Sequence, residues 1–317
     1  NRRDRISEDA VFNRATLGVY EMGSTFKIFN TAMALDYGTT TMQNGYDASK
    51  PIRIARFTIN DDHAKGRWLS VPEIFMYSSN IGSVRMAMDV GGERQRAFME
   101  RLGLLAASAV ELPERGRPLS PSPWRPINTM TISFGHGIAV SPVQLANGVS
   151  AIVNGGVRHP ATLLRRDSAE MLTGERVISE KTSEVMRRLL RLVVENGTGR
   201  NANAKGYLVG GKTGTAEKPG RDGAYRRKAL LSSFVATFPV NDPRYVVLAM
   251  VDEPKGNKSS YGYATGGWVA APAVKRIVER AAPLLGVAPV DEEAPEIRRS
   301  LMVKIPQAKG EKALASF

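Results

Sequence analysis

The 317-residue chain contains no cysteine. That removes disulfides, thiolate nucleophiles and cysteine-based metal sites, and leaves the compartment open. Histidine is almost as scarce: His63, His136 and His159 are the whole supply, far apart in sequence. A metal site would need them to converge with carboxylates. Asp61 and Asp62 beside His63 offer the nearest group, and a polar loop is the simpler reading, so no metal or cofactor is expected. His136, between Gly135 and Gly137, reads as a turn or pocket-wall residue. No 18-residue apolar run is present, so no transmembrane helix is expected. The start, Asn1-Arg2-Arg3-Asp4-Arg5, lacks the apolar stretch of a signal peptide. Negative charge is also short: 31 acidic residues face 44 basic ones, a net charge of +13. Such an excess suits anionic surroundings, whether a membrane surface, nucleic acid or an acidic polymer. The basic clusters are short, Arg187-Arg188 with Arg191 and Arg226-Arg227-Lys228. No nucleic-acid module accompanies them, so they read as solvated faces and nucleic acid is not an expected partner.

Against these absences stand three short motifs in order: Ser24-Thr25-Phe26-Lys27, Ser78-Ser79-Asn80 and Lys212-Thr213-Gly214-Thr215. The first two patterns would each occur about once by chance in such a chain, so the weight lies in the combination and its order. Together they supply a nucleophile, two lysines, a second hydroxyl and an amide, which suffice for acyl transfer through a serine ester without histidine. Gly206 to Thr213 also fits a phosphate-loop pattern. Its interior Tyr207-Leu208-Val209 is strand-like, and Lys218-Pro219-Gly220-Arg221-Asp222-Gly223 forbids a helix after the lysine. Nucleotide binding is therefore rejected, and Lys212 is placed on an exposed strand.

The hydrophobic periodicity orders the rest. Met22 to Leu35 reads as a helix with Phe26, Phe29, Met33 and Leu35 on its apolar face and Ser24 in its first turn, one turn from Lys27. Residues 39–67 read as loop with short strands. Ser70-Val71-Pro72-Glu73 is a capping box opening a short helix that delivers Ser78 and Asn80 at its exit. Helices follow over Ile81–Val90, residues 93–104, Pro142–Val153 behind a second capping box at Ser141, and residues 180–195. Pro113 to Pro126 reads as a surface excursion. Strands are expected at 207–217, 230–238 and 244–252, a last helix at Ala270–Leu285, and a C-terminal tail at 289–317. Helices, then adjacent strands, then a helix predict an α+β fold with a mainly antiparallel sheet flanked by helices.

Lys27 can activate Ser24 only as a neutral amine, a state favoured by burial and by a second ammonium, which Lys212 can supply. Ser78 can relay a proton between them, and Asn80 can hold a substrate amide. Small residues Gly210, Gly211 and Gly214 would let an extended peptide approach the Lys212 strand. Thr213 and Thr215, with Lys212, suit a terminal carboxylate. The backbone amides of Ser24 and Thr215 suit an oxyanion hole.

From about Asn13 to Leu285 the chain resembles the transpeptidase domain of class B penicillin-binding proteins, most of all the division-specific ones. The carriers are Tyr20 to Phe29, Ser78-Ser79-Asn80-Ile81-Gly82, Gly135 to Ala146 and Val209 to Lys218. Met22 stands where that family usually has Pro, and His136 where Tyr is common. The resemblance implies a transpeptidase domain over 1–288 with the penicillin-binding protein/serine β-lactamase-like fold. It implies a serine ester formed from a stem peptide ending in D-Ala-D-Ala, resolved by an amine of a neighbouring strand, and covalent inhibition by β-lactams. It further implies an inner-membrane anchor absent from this chain, a periplasmic setting, and a polytopic glycan polymerase and division proteins as partners. A serine β-lactamase and a non-catalytic β-lactam sensor share the acylation apparatus and are the alternatives.

Overall fold

The computed structural model describes residues 11–54, 57–165, 173–220 and 225–306. The first residues, the Arg221-Asp222-Gly223 part of the turn and the last part of the expected tail lie outside them.

In chain order the elements begin with a single 3-10 turn, Gly23–Phe26, running into α1 (Lys27–Asp36). The short strands β1 (Gly45–Asp47), β2 (Ile52–Ile54), β3 (Phe57–Ile59) and β4 (Trp68–Ser70) follow, then α2 (Val71–Tyr77), α3 (Asn80–Val90), α4 (Gly92–Arg101), α5 (Pro126–Ile132) and α6 (Pro142–Val153). After β5 (Val157–Arg158) and β6 (Glu175–Arg176) come the long α7 (Glu180–Asn196), the strands β7 (Gly210–Pro219), β8 (Tyr225–Phe238) and β9 (Tyr245–Asp252), and the helices α8 (Ala270–Leu284) and α9 (Pro295–Leu301).

Both capping boxes form as the sequence predicts. The Ser70 N–H and hydroxyl donate to Glu73 Oε2 at 2.9 Å each, and the Ser141 N–H donates to Gln144 Oε1 at 3.0 Å. They satisfy amides that a helix start leaves without partners. The three long strands form one antiparallel sheet in the order β7-β8-β9, with β7 at its edge. β8 is buried on both faces. Phe234, Ala236 and Phe238 pack with Val274, Val278 and Ala282 of α8, while Val235 joins the helical core. At the centre of that core lies α1, buried from Lys27 through Ala34, so it is covered on all sides rather than on one face.

Three expectations need correction. The Pro113–Pro126 excursion is followed by a helix, α5, that starts on its last proline, because Pro at the first helical position costs no hydrogen bond. The expected tail carries α9 and folds back: Leu301 is buried with Leu208 and Val240. Its anchor is Arg191, which is not on a solvated face but 3% exposed. Arg191 donates to Glu195 (2.8 Å), Asn203 (3.1 Å), the Val209 carbonyl (3.1 Å) and Glu292 (2.8 Å). Paired and hydrogen-bonded on every side, the guanidinium tolerates burial.

Candidate active site

Ser24 sits in the 3-10 turn, where side chains three apart eclipse. Its neighbour three residues on, Lys27, places Nζ 3.0 Å from Ser24 Oγ. The turn is seated by main-chain contacts. Gly23 has φ +55°, and a Cβ there would lie 2.6 Å from the Thr215 carbonyl oxygen of β7. A Cβ on Gly135 would collide with the Gly23 backbone, one on Gly214 would lie 2.6 Å from the Met22 carbonyl, and one on Gly266 would collide with the Gly214 carbonyl. Four bare backbones are thus stacked behind the serine. The glycines of β7 do not open space for an incoming peptide. Gly210 is filled by Val240 and Arg191, Gly211 by Phe234, and Gly214 by Met22, Thr25 and Ser233.

Ser78 caps α2 in the left-handed conformation, φ 62° and ψ 42°. That turn aims its carbonyl and its hydroxyl at one point. Lys27 Nζ donates to Ser78 O at 2.6 Å and lies 3.0 Å from Ser78 Oγ, and Lys212 Nζ lies 2.9 Å from the same hydroxyl. Asn80, at the first position of α3, presents Oδ1 to Lys27 Nζ at 2.7 Å. Three remote segments therefore meet in a chain of polar contacts running Ser24, Lys27, Ser78, Lys212. The Ser78 carbonyl and Asn80 Oδ1 can only accept, so they hold two Lys27 protons and leave one direction for a serine hydroxyl.

Both lysines are buried, Lys27 at 1% exposure and Lys212 at 0%. Burial pulls Lys27 down to about 7, partly opposed by the negative charges of Asp61 and Asp62. Lys212 is driven well below the usual lysine value, first by burial and then by repulsion from Lys27. Lys212 is thus not on a solvent-facing strand surface. It is held inward by the pairing of β7 with β8, where it lies opposite Val235.

Ser24, Ser78, Thr213 and Thr215 line a cleft of about 410 Å³, with Lys65 and Trp268 also in its lining. The Thr213 and Thr198 hydroxyls are 2.8 Å apart, and Thr215 Oγ1 accepts the Gly266 N–H at 3.1 Å. Thr198 was not legible as a site residue, since Asn196 to Asn201 reads only as a polar turn. Asp61, which by sequence belongs to a polar loop, is a structural acceptor. Its Oδ1 accepts the N–H groups of Asn80 (2.6 Å) and Ile81 (2.9 Å), and its Oδ2 the Ser79 hydroxyl (2.8 Å). The available signal was the need of α3 for acceptors at its start. His136 lies between Phe134 and Tyr225, ring centroids 5.3 and 5.6 Å away, with burial lowering its pKa. Beside it Glu21 accepts the Gly137 N–H at 2.8 Å and the Tyr225 hydroxyl at 2.9 Å. Among the described residues no group of three or more His, Asp or Glu could hold a metal ion.

The family described as "Penicillin binding protein transpeptidase domain" matches residues 1–279. This chain belongs to that family. It is 45% identical over 297 residues to the probable peptidoglycan D,D-transpeptidase FtsI of Caulobacter vibrioides, which covers 90% of this chain and 50% of that protein. This transpeptidase-family chain spans about half the length of the curated relatives it matches. Among solved structures it is similar to the apo TP domain of Burkholderia pseudomallei penicillin-binding protein 3. The TM-score is 0.80 and the identity 35%, over 87% of this chain and 83% of that one. It is also similar to Mycobacterium tuberculosis penicillin binding protein 3 complexed with ampicillin. There the TM-score is 0.81 and the identity 25%, over 90% of this chain and 66% of that one. The α+β transpeptidase fold is therefore the fold of this chain, and no helix among its described residues is long and apolar enough to cross a membrane.

Proposed function

We propose that this chain is the acyl-transfer domain of a peptidoglycan D,D-transpeptidase working in septal wall synthesis, with residues 1–288 as its catalytic body and the remainder a C-terminal extension. The observation that carries the reading is the Ser24–Lys27–Ser78–Lys212 series, with successive N–O separations of 3.0, 3.0 and 2.9 Å. Neutral Lys27 takes the Ser24 hydroxyl proton as Oγ attacks the carbonyl of the penultimate D-Ala. The Ser24 and Thr215 amides stabilise the oxyanion. The C–N bond breaks, and the departing D-Ala amine receives the proton passed from Lys27 through Ser78. An amine from a second stem peptide then attacks the ester, giving its proton back along the same route as Ser24 is released.

Lys212, Thr213 and Thr215 receive the terminal carboxylate. The Gly214 main chain flanks the scissile bond, and the second N–H of Asn80 Nδ2 meets a substrate amide. Stem peptides and β-lactams are the ligands. The setting is the periplasmic face of the bacterial inner membrane, beside a polytopic glycan polymerase and division proteins.

The test is intact mass after exposure to benzylpenicillin, followed by peptide mapping. One lasting adduct on the Ser24 peptide is expected, with none in folded Ser24→Ala. Labelling of that variant would retire the mechanism. Rapid release of hydrolysed drug would make the chain a β-lactamase, and a stable adduct with no processing of a D-Ala-D-Ala peptide would make it a sensor.

A further inference from the structure

The short turn carrying Ser78, Ser79 and Asn80 is not held by its own helices alone. Ser78 is in a left-handed conformation that costs a non-glycine residue about 1–2 kcal/mol. Asn80 opens α3, whose first amides have no partner within the helix. The residues directly after Ser78 are held from the loop after β3. Asp61 Oδ1 takes the amides of Asn80 and Ile81, and Asp61 Oδ2 takes the Ser79 hydroxyl. The neighbouring Asn60 carbonyl accepts Asn80 Nδ2 at 2.8 Å, which leaves Asn80 Oδ1 pointing at Lys27. A side-chain amide can turn end for end, and the Asn60 carbonyl forbids it, because the turned amide would set oxygen against oxygen and N–H against ammonium.

We infer that Asp61, together with the Asn60 carbonyl, is a positioning element that fixes the Ser78–Asn80 turn on Lys27 and supplies the negative charge facing that lysine. The inference rests on the acyl-transfer reading above. Asp61 touches no reacting atom. It acts through Asn80 and Ser79, and through its field on Lys27. The charged and titratable groups around Lys27 are Asp61 and Asp62 from this loop, Lys212 from β7 and His136 from the loop before α6. Of these, the two aspartates favour the ammonium, burial lowers both Lys212 and His136, and the two lysine charges repel each other. Removing the Asp61 charge therefore makes Lys27 easier to deprotonate. The two roles separate: loss of hydrogen bonds slows acylation, whereas loss of charge alone moves its pH dependence toward acid.

The test measures the rate of acylation by a fluorescent penicillin from pH 5 to 9 for wild type, Asp61→Asn and Asp61→Ala, with thermal unfolding of each. Asp61→Asn keeps an oxygen for the α3 amides. Its acid limb is expected to move to lower pH by roughly half a unit or more. Asp61→Ala, which orphans two amides and a hydroxyl, is expected to lose about tenfold to a hundredfold in the plateau rate. A folded Asp61→Ala with the wild-type plateau, or an Asp61→Asn limb that stays or moves to higher pH, overturns the inference while leaving the transpeptidase reading intact. If Asp61→Ala does not fold, the Asp61→Asn limb decides. A wild-type chain that takes no label sinks the acyl-transfer reading, and this inference with it.

Discussion

At the scale of single residues, the decisive fact is a lysine with more partners than directions. Lys27 Nζ has Ser24 Oγ, Ser78 O, Ser78 Oγ and Asn80 Oδ1 all within 3.0 Å, and an amine offers three directions besides its own carbon. Buried among them, it sits near 7 rather than at the usual lysine value. A base must be unprotonated, so acylation falls about tenfold per pH unit below 7 and levels off above it. A pH–rate profile of penicillin labelling checks this, and a flat profile down to pH 5 would mean that Lys27 is not the base. Lys27→Ala is expected to slow acylation by about a hundredfold or more without unfolding the chain. A near-normal rate would assign the proton to another group. At this scale the sequence was most readable. Ser24, Lys27, Ser78, Asn80 and Lys212 are legible as a set, through the combination and order of three motifs, and the structure brings all five together. Asp61 and Thr198 carry no such mark, because an aspartate or threonine in a polar loop looks alike whether it faces water or a helix start.

At the scale of elements, α2 and β7 show how local rules place chemistry. The capping box fixes where α2 begins, seven residues later the helix ends, and the residue after it is Ser78. Nothing in the residue type signals that Ser78 is left-handed, since the conformation comes from the two helices it joins. Ser78→Gly relieves the strain and deletes the relay together. It is expected to keep or raise stability by about 1 kcal/mol or less, while acylation falls by about a hundredfold. Thermal unfolding alongside penicillin labelling reads both effects, and an unimpaired labelling rate would remove Ser78 from the relay. The three long strands are legible as strands, and β9 begins within a residue of its expected start, but β7 begins three residues later and β8 five residues earlier than the sequence predicts. The short α5 and α9 are not legible, because a seven-residue helix has too few turns to set a period.

At the scale of the molecule, the C-terminal part of the described chain is tied to the sheet that carries Lys212. Arg191 joins α7 to Glu292 and to the Val209 carbonyl, the residue before β7 begins. Removing the guanidinium leaves Glu292, Asn203 and a carbonyl without their partner. Arg191→Ala is therefore expected to cost about 3 kcal/mol or more in urea unfolding. A loss below 1 kcal/mol would show the C-terminal contact to be incidental. The net charge of +13 spoke of the surface in general and hid this one inward arginine, since composition counts charges without locating them.

The stack formed by Gly135, Gly23, Gly214 and Gly266 leaves the nucleophile resting largely on peptide planes, each of the four facing a neighbouring backbone atom closer than a Cβ could stand. Such a mounting has little compliance, because a backbone cannot swing aside as a side chain can. In a saturation library selected for labelling, these four sites should return almost nothing but glycine, while the exposed His63 and Lys65 of the cleft lining accept many replacements. A population seeking escape from an acylating drug would find its variation at the rim and not beneath the serine.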